Sequence, residues 1–195
     1  MKHLMDDEFG GGGDLIKNFL VDELSERVGK QEKVLELCAG PGFIGLHMLE
    51  TGFCEEIHLS DFNVNALPKG TKAKTIVSDG FKNISEKYDL IVCNPPWFDH
   101  KTYFFDIEIT SDRSFLIFTD EKWRLHKHIF STASEHLNEG GHLVLLDCKF
   151  STHPENFNNL WKNLELIESF NYSNTTPPNV MTSISYTAIY RKTNG

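Results

Sequence analysis

The residues best suited to chemistry lie in the run Cys93-Asn94-Pro95-Pro96-Trp97-Phe98, directly after the apolar segment YDLIVC. Two successive prolines fix two backbone φ angles, so this stretch is a rigid loop. Asn94 offers a side-chain carbonyl and an NH2 group, and the peptide carbonyl of Pro95 is a second acceptor. Pro95 and Pro96 contribute no N–H donors. Two aimed acceptors suit a planar NH2 group whose lone pair has to be directed at an electrophile. Trp97 offers a flat face on which a planar group can stack. A structural turn with a half-buried tryptophan is the plainer reading of the same residues. The position after the fourth strand of an alternating chain favours the chemical one.

A second constellation precedes it. The run ELCAGPGFIG (36–45) places Gly40, Gly42 and Gly45 in a G-x-G-x-x-G turn between a strand and a helix. Such glycines permit a tight turn and let the backbone approach a ligand closely. The helix that follows offers unpaired amide donors. The pattern fits a dinucleotide or an S-adenosylmethionine site. Asp61, in LSDF, is the next acid at a strand end, where a carboxylate can accept hydrogen bonds from both ribose hydroxyls of an adenosine ligand. Phe62 beside it is placed to pack on the adenine face. Capping of a helix over residues 62–67 is a second, compatible role for Asp61. Asp79, in SDGF (78–81), is placed to accept from an adenine exocyclic amine, with Phe81 adding an apolar contact. Asp79-Gly80 also reads as an ordinary turn.

The elements that must hold these residues follow from periodicity. Leu15, Ile16, Phe19, Leu20, Leu24 and Val28 recur at helical spacing behind Asp14, predicting an amphipathic helix over 15–28 stopped by Gly29. Short apolar strands are predicted at 33–38, 56–60, 73–78, 88–93 and 142–147, with helices over 43–52, 119–137 and 154–164. Trp123, His126, Phe130, Ala133 and Leu137 share one face of the second of these helices. Segments 164–172 and 181–191 read as strands with no helix between them, hence an antiparallel hairpin at a sheet edge. Such alternation predicts an α/β fold, a Rossmann-like three-layer sandwich whose mostly parallel sheet is covered by helices on both faces. In open sheets of this kind ligands sit at the carboxyl ends of the strands.

Bulk properties set the class. The chain has 195 residues, 39% hydrophobic and 24% charged, as expected of one globular domain over 1–195, with a flexible segment and helix in 1–32 and the core in 33–195. The net charge of -9 offers no general basic surface for phosphates and weighs mildly against a large nucleic-acid substrate. Lys69, Lys72 and Lys74, and Lys122, Arg124 and Lys127, form local clusters that read as solvated faces. Cys38, Cys54, Cys93 and Cys148 form no C-x-x-C pair, which fits a reducing compartment, and Cys38, Cys93 and Cys148 read as small buried hydrophobes. His126 and His128 point to different helix faces, and no H-x-x-x-H pair occurs, so no metal is expected. The absence of an apolar run long enough to span a bilayer predicts a cytoplasmic protein without membrane contact. The glycine run Gly10–Gly13 reads as a loose terminus or a lid.

Taken together, the glycine turn, the acids at successive strand ends and the Asn-Pro-Pro-Trp loop resemble class I S-adenosylmethionine-dependent methyltransferases carrying an Asn-Pro-Pro-aromatic motif. That type includes HemK-like protein glutamine methyltransferases, small-domain ribosomal and transfer-RNA guanine and adenine methyltransferases, and amino-methylating DNA enzymes. The resemblance covers residues 33–148 and the terminal hairpin. It implies a seven-stranded sheet, with Glu36, Cys38, Ala39, Gly40 and Gly42 carrying the methionine end of the cofactor. Glu36 would orient the loop and the cofactor's amino group, Asp61 the ribose, and Asp79, Gly80 and Phe81 the adenine. Asn94, Pro95, Pro96 and Trp97 would carry the target nitrogen, with Asn94 also beside the cofactor. Many such enzymes have tyrosine or phenylalanine at the place of Trp97, and many have a separate recognition domain. The stretch 99–118, with Phe105, Ile107 and Ile109 alternating, is expected to help shape the acceptor site.

The resemblance therefore predicts methyl transfer to a planar nitrogen: a protein glutamine amide, an RNA or DNA base amine, or a small molecule. The acidic balance makes a protein or small-molecule acceptor the more attractive. A partner subunit or a second copy of the chain stays open. Two rivals share features of the sequence. A nicotinamide oxidoreductase has the glycine turn and Asp61 but no use for the Asn-Pro-Pro-Trp loop. A non-catalytic subunit of the same fold need not keep that loop intact.

Overall fold

The computed structural model describes residues 13–99, 119–172 and 185–194. Its centre is one seven-stranded sheet made of β1 (Gln31–Leu37), β2 (Cys54–Asp61), β3 (Lys74–Val77), β4 (Tyr88–Cys93), β5 (Leu137–Cys148), β6 (Leu164–Asn171) and β7 (Ser185–Lys192). The spatial order is β3-β2-β1-β4-β5-β7-β6. The first five strands pair in parallel, and β7 runs antiparallel between β5 and β6. The predicted seven strands and the antiparallel end of the sheet are thus present. Residues 181–184 lie outside the described residues.

Alternation along the strands explains the layering, because successive side chains point to opposite faces. Val34, Leu90, Val92, Val144 and Leu146 face one side, where they meet Ile16, Leu20 and Leu24 of α1 (Gly13–Arg27) and Ile44 and Met48 of α2 (Phe43–Glu50). Leu35, Leu37, Ile91, Cys93, Leu143 and Leu145 face the other, under Ile129 and Phe130 of α3 (Arg124–Thr132) and Phe157. Helix α1 stops as expected at Gly29, which adopts φ +69 and donates its N–H to the Leu24 carbonyl.

Three boundaries differ from the sequence expectation. The helix predicted over 119–137 is broken into a 3-10 turn at Glu121–Trp123, α3, and a second 3-10 turn at Ala133–His136. Lys122 and Trp123 take positive φ, which separates the first turn from α3. Leu137 belongs to β5, because Asn138–Gly141 continue the strand back to a pairing of Leu137 with Tyr88. The helix predicted behind Pro154 is a 3-10 helix at Pro154–Leu160, and β6 starts at Leu164. No helix follows Asp61: residues 64–66 form a turn. No helix among the described residues is long and apolar enough to cross a membrane.

Candidate active site

The parallel strands end on one edge, and four loops meet there. After β1, Cys38 and Gly40 take positive φ (55 and 50), and Gly42 at φ 76 leads into α2. The Gly42 N–H closes the turn onto the Ala39 carbonyl at 2.8 Å, and Ala39 donates to the Ser60 carbonyl on β2 at 3.0 Å. A Cβ at Gly45 would lie 2.7 Å from Glu36 Oε2 and 2.7 Å from Leu59, so α2 can approach the sheet only with glycine there.

Glu36 is buried, and its Oε2 accepts the Gly45 N–H at 2.8 Å. Burial pushes its carboxyl up to about 8, against the pull of the Gly45 and Ile44 amides. Asp61, at the end of β2, is also raised by burial, although the amides of Asn63, Gly40 and Phe62 favour its charge. Its Oδ2 accepts from Gly40 at 3.0 Å and its Oδ1 from Asn63 at 2.8 Å. The carboxylate thus pins the glycine loop to the end of β2, and each oxygen has a second lone pair. Phe62 beside it is 59% exposed.

Behind β3, Asp79 faces cations. Arg124 from α3 meets both its oxygens at 3.2 Å, and Lys82 reaches Oδ2 at 2.6 Å. Lys82 and Arg124 hold the Asp79 carboxyl down at about 2. Gly80 takes φ 58, where a Cβ would lie 2.5 Å from the His128 ring. The Phe81 N–H donates to His128 Nε2 at 3.3 Å. The Phe81 ring, expected beside a ligand, is buried and stacked on His136 at 4.6 Å.

The loop after β4 is held from below. Trp97 is 5% exposed; its Nε1–H donates to Asn94 Oδ1 and to the Leu146 carbonyl, both at 3.1 Å. The expected stacking face is therefore packed, and the indole instead fixes the Asn94 amide. The Trp97 carbonyl accepts from Ser151 Oγ, and the Phe98 carbonyl accepts the Asp120 N–H at 2.8 Å. Pro95 is buried and Pro96 half-buried. Residues 100–118, including Phe105, Ile107 and Ile109, and the glycines 10–12 lie outside the described residues.

The structure thus brings Glu36, Cys38, Ala39, Gly40, Asp61 and Asn94 to one edge through the neighbouring strands β2, β1 and β4. Sequence reasoning missed what lies beneath: His126 is buried between Asp120 and Asp147, with Nδ1 at 2.7 Å and Nε2 at 3.1 Å from their oxygens. No local signal pointed at Asp120, which falls inside the helix predicted over 119–137. All four cysteines are free; Cys93 and Cys148 are buried as expected, Cys38 is half-buried, and Cys54 is buried as well.

The methyltransferase small domain family matches residues 11–110, and the chain belongs to that family. A ribosomal RNA small subunit methyltransferase C from Haemophilus influenzae is 29% identical over 131 residues, which are 63% of this chain and 34% of that protein. The chain thus spans about a third of the length of the curated relatives it matches. The N-methyltransferase NodS from Bradyrhizobium japonicum WM9, solved with S-adenosyl-l-homocysteine, shares the fold with a TM-score of 0.58 at 16% identity, over 98% of this chain and 91% of that one. A Thermus thermophilus 16S rRNA N2 methyltransferase, solved with AdoMet and guanosine, aligns at TM-score 0.54 and 18% identity, over 91% of this chain and 43% of that one. The architecture is that of Rossmann-like methyltransferases.

Proposed function

We propose that the chain is an S-adenosylmethionine-dependent N-methyltransferase whose acceptor is a base amine of small-subunit ribosomal RNA. The observation that carries the reading is the convergence of the Asp61-pinned glycine loop and the Asn94 amide on neighbouring strand ends. Family membership supports the reaction class, and the names of the relatives favour an RNA base over a protein amide. The whole-chain charge of -9 does not oppose this, since a base is read by hydrogen bonds at the site and phosphates by local patches.

The residues fit the cofactor. The glycine loop has the positive φ values of a close-approach turn, Asp61 has acceptor capacity for a diol, and Phe62 exposes an aromatic face beside it. The Glu36 carboxyl lies under the loop, where it would answer the cofactor's amino group. Asp79, Gly80 and Phe81 would line the adenine end, with the Phe81 ring acting through packing. When bound, S-adenosylmethionine supplies an activated sulfonium methyl. The protein's own task is then positioning, worth about 7–11 kcal/mol in well-oriented cases. Asn94 Oδ1, fixed by Trp97, and the Pro95 carbonyl would hold the acceptor NH2 and stabilise the positive charge it gains. No strong general base is needed, because the nitrogen becomes acidic as it is alkylated.

Calorimetric titration with S-adenosylmethionine, with NADH as control, tests the cofactor. Transfer of labelled methyl to small-subunit rRNA tests the acceptor. Asn94→Ala should cut turnover by roughly 100-fold or more while sparing cofactor affinity. Asp61→Ala should weaken cofactor binding. NADH preference, or full activity of Asn94→Ala, contradicts the assignment.

A further inference from the structure

The Asp120–His126–Asp147 cluster has no part in the reaction outlined above, yet it lies under the loop that reaction uses. Both ring nitrogens of His126 face carboxylate oxygens, at 2.7 and 3.1 Å. A carboxylate only accepts, so both nitrogens must carry protons and the ring is an imidazolium. Two routes lead from it to the acceptor loop. Asp120 accepts the Leu125 and His126 amides at 2.8 and 2.9 Å, and its own N–H holds the Phe98 carbonyl at 2.8 Å. Asp147 follows Leu146, whose carbonyl holds Trp97 Nε1, which in turn holds Asn94 Oδ1.

We propose that His126 is a positioning residue for methyl transfer: it ties the start of α3 to the end of β5 and so fixes Trp97, Phe98 and the Asn94 amide in the acceptor-holding arrangement. This rests on the methyltransferase reading above for its activity arm alone.

Energetics support a specific role. A buried ionic cluster is commonly no more stable than apolar residues of the same volume, so the role it can fill is to fix one arrangement. The surroundings keep it charged. Burial opposes the charge on His126, but Asp147 and Asp120 outweigh it and raise the group to about 9. From the other elements it meets the Trp123 ring at 5.1 Å and the Phe157 ring at 5.4 Å. Tyr186 of β7 pairs with Asp147, and burial pushes its phenol far up, so it stays neutral. Burial likewise keeps the Cys93 thiol on β4 neutral, and Glu155 adds to the rise of the Tyr186 phenol. The cluster therefore carries one net negative charge.

The test reads the loop directly. In His126→Gln, exchange of the Trp97 indole N–H and of the Asp120 amide that holds Phe98, followed by NMR, should rise about tenfold or more. Turnover on a small-subunit rRNA transcript should fall about tenfold, with cofactor affinity by calorimetry within about twofold. Asp147→Asn leaves one carboxylate on the ring, so loss of loop protection at alkaline pH should move down from about 9. Should these variants fail to fold, the wild type suffices: protection of the Trp97 indole N–H and the Asp120 amide, corrected for intrinsic exchange, should fall as the His126 ring nitrogens titrate. Loop protection and kcat unchanged in His126→Gln, or protection constant through the His126 titration, overturns the proposal. Wild type inactive on rRNA contradicts the acceptor reading, and the exchange arm still judges the clamp.

Discussion

Among the described residues, His126 and His58 each lie beside carboxylates in different parts of the sheet, and they carry different charge. His126 sits at the carboxyl edge between Asp120 and Asp147, which burial deprives of solvent. His58 sits in the middle of β2, with Nε2 at 2.6 Å from Glu56 and Nδ1 at 2.9 Å from the Tyr88 hydroxyl. Glu56 and Glu86 are already shared with Lys33, at 3.1 and 2.5 Å, and Glu86 with Lys74 at 2.5 Å. Burial, together with Lys74 and Lys33, holds His58 below its ordinary value despite the Glu56 bond. It is therefore the neutral tautomer, donating from Nε2 and accepting from Tyr88. Burial opposes charge on both rings; two direct carboxylates outweigh it at His126, and the single bonded carboxylate at His58, shared with Lys33, does not. Although Glu56, His58 and Glu86 bring ligand atoms within 4.8 Å of one another, the two lysines already neutralise the group.

The largest expected effect separates the two clusters by burial. Asp120→Ala leaves Asp147 as the one carboxylate on the His126 ring and strands two backbone amides, and should cost about 3–5 kcal/mol in urea unfolding. Glu56→Ala, at a side chain 52% exposed, should cost less than about 1 kcal/mol. Similar losses would break the contrast.

The pH dependence should have opposite sign. The raised His126 adds stability that is complete below 6.5 and lost as pH climbs through about 9. Its size is about 3 kcal/mol. The lowered His58 works the other way, with stability present above 6.5 and lost as pH falls below it. Glu36, raised to about 8 by burial, loses stability over an overlapping range, so urea midpoints are best followed in Glu36→Gln. A flat midpoint between 6.5 and about 9 in that background would show that His126 is not the imidazolium described.

The smallest effect sharpens the role of cations. Arg124→Ala removes one of the two partners of Asp79, whose carboxyl should rise from about 2 toward 3.8 in an NMR titration. Stability should change by less than about 1 kcal/mol, because the pair is largely exposed. An unmoved Asp79 would mean that Lys82 alone sets its value.

Much of this molecule could be read from the chain because its strands are short apolar runs and its turns contain glycine. Gly40, Gly42 and Gly45 mark the loop before α2 by the conformations and clearances they alone permit. The break between Trp123 and α3 escaped notice because the apolar spacing of Trp123, His126 and Phe130 continues through it. Phe81 and Trp97 were placed on the right loops, but the side-chain directions depended on His136 and Leu146, far away in sequence. The His126 cluster draws its members from before α3, from α3 and from β5, and no local spacing encodes such a meeting.

The strand order also constrains how the protein is born. Because β7 lies between β5 and β6, β6 has no place in the sheet until β7 has been made. Synthesis proceeds from the amino end at about 5–20 residues per second, so the site-bearing strands β1 to β4 can assemble while β6 waits unpaired. During that interval β5 presents a bare edge of unsatisfied amides and carbonyls, the kind of edge to which another nascent chain can add. Loss of the eight-residue β7 would therefore release β6 as well, and leave the β5 edge of the sheet sticky and open.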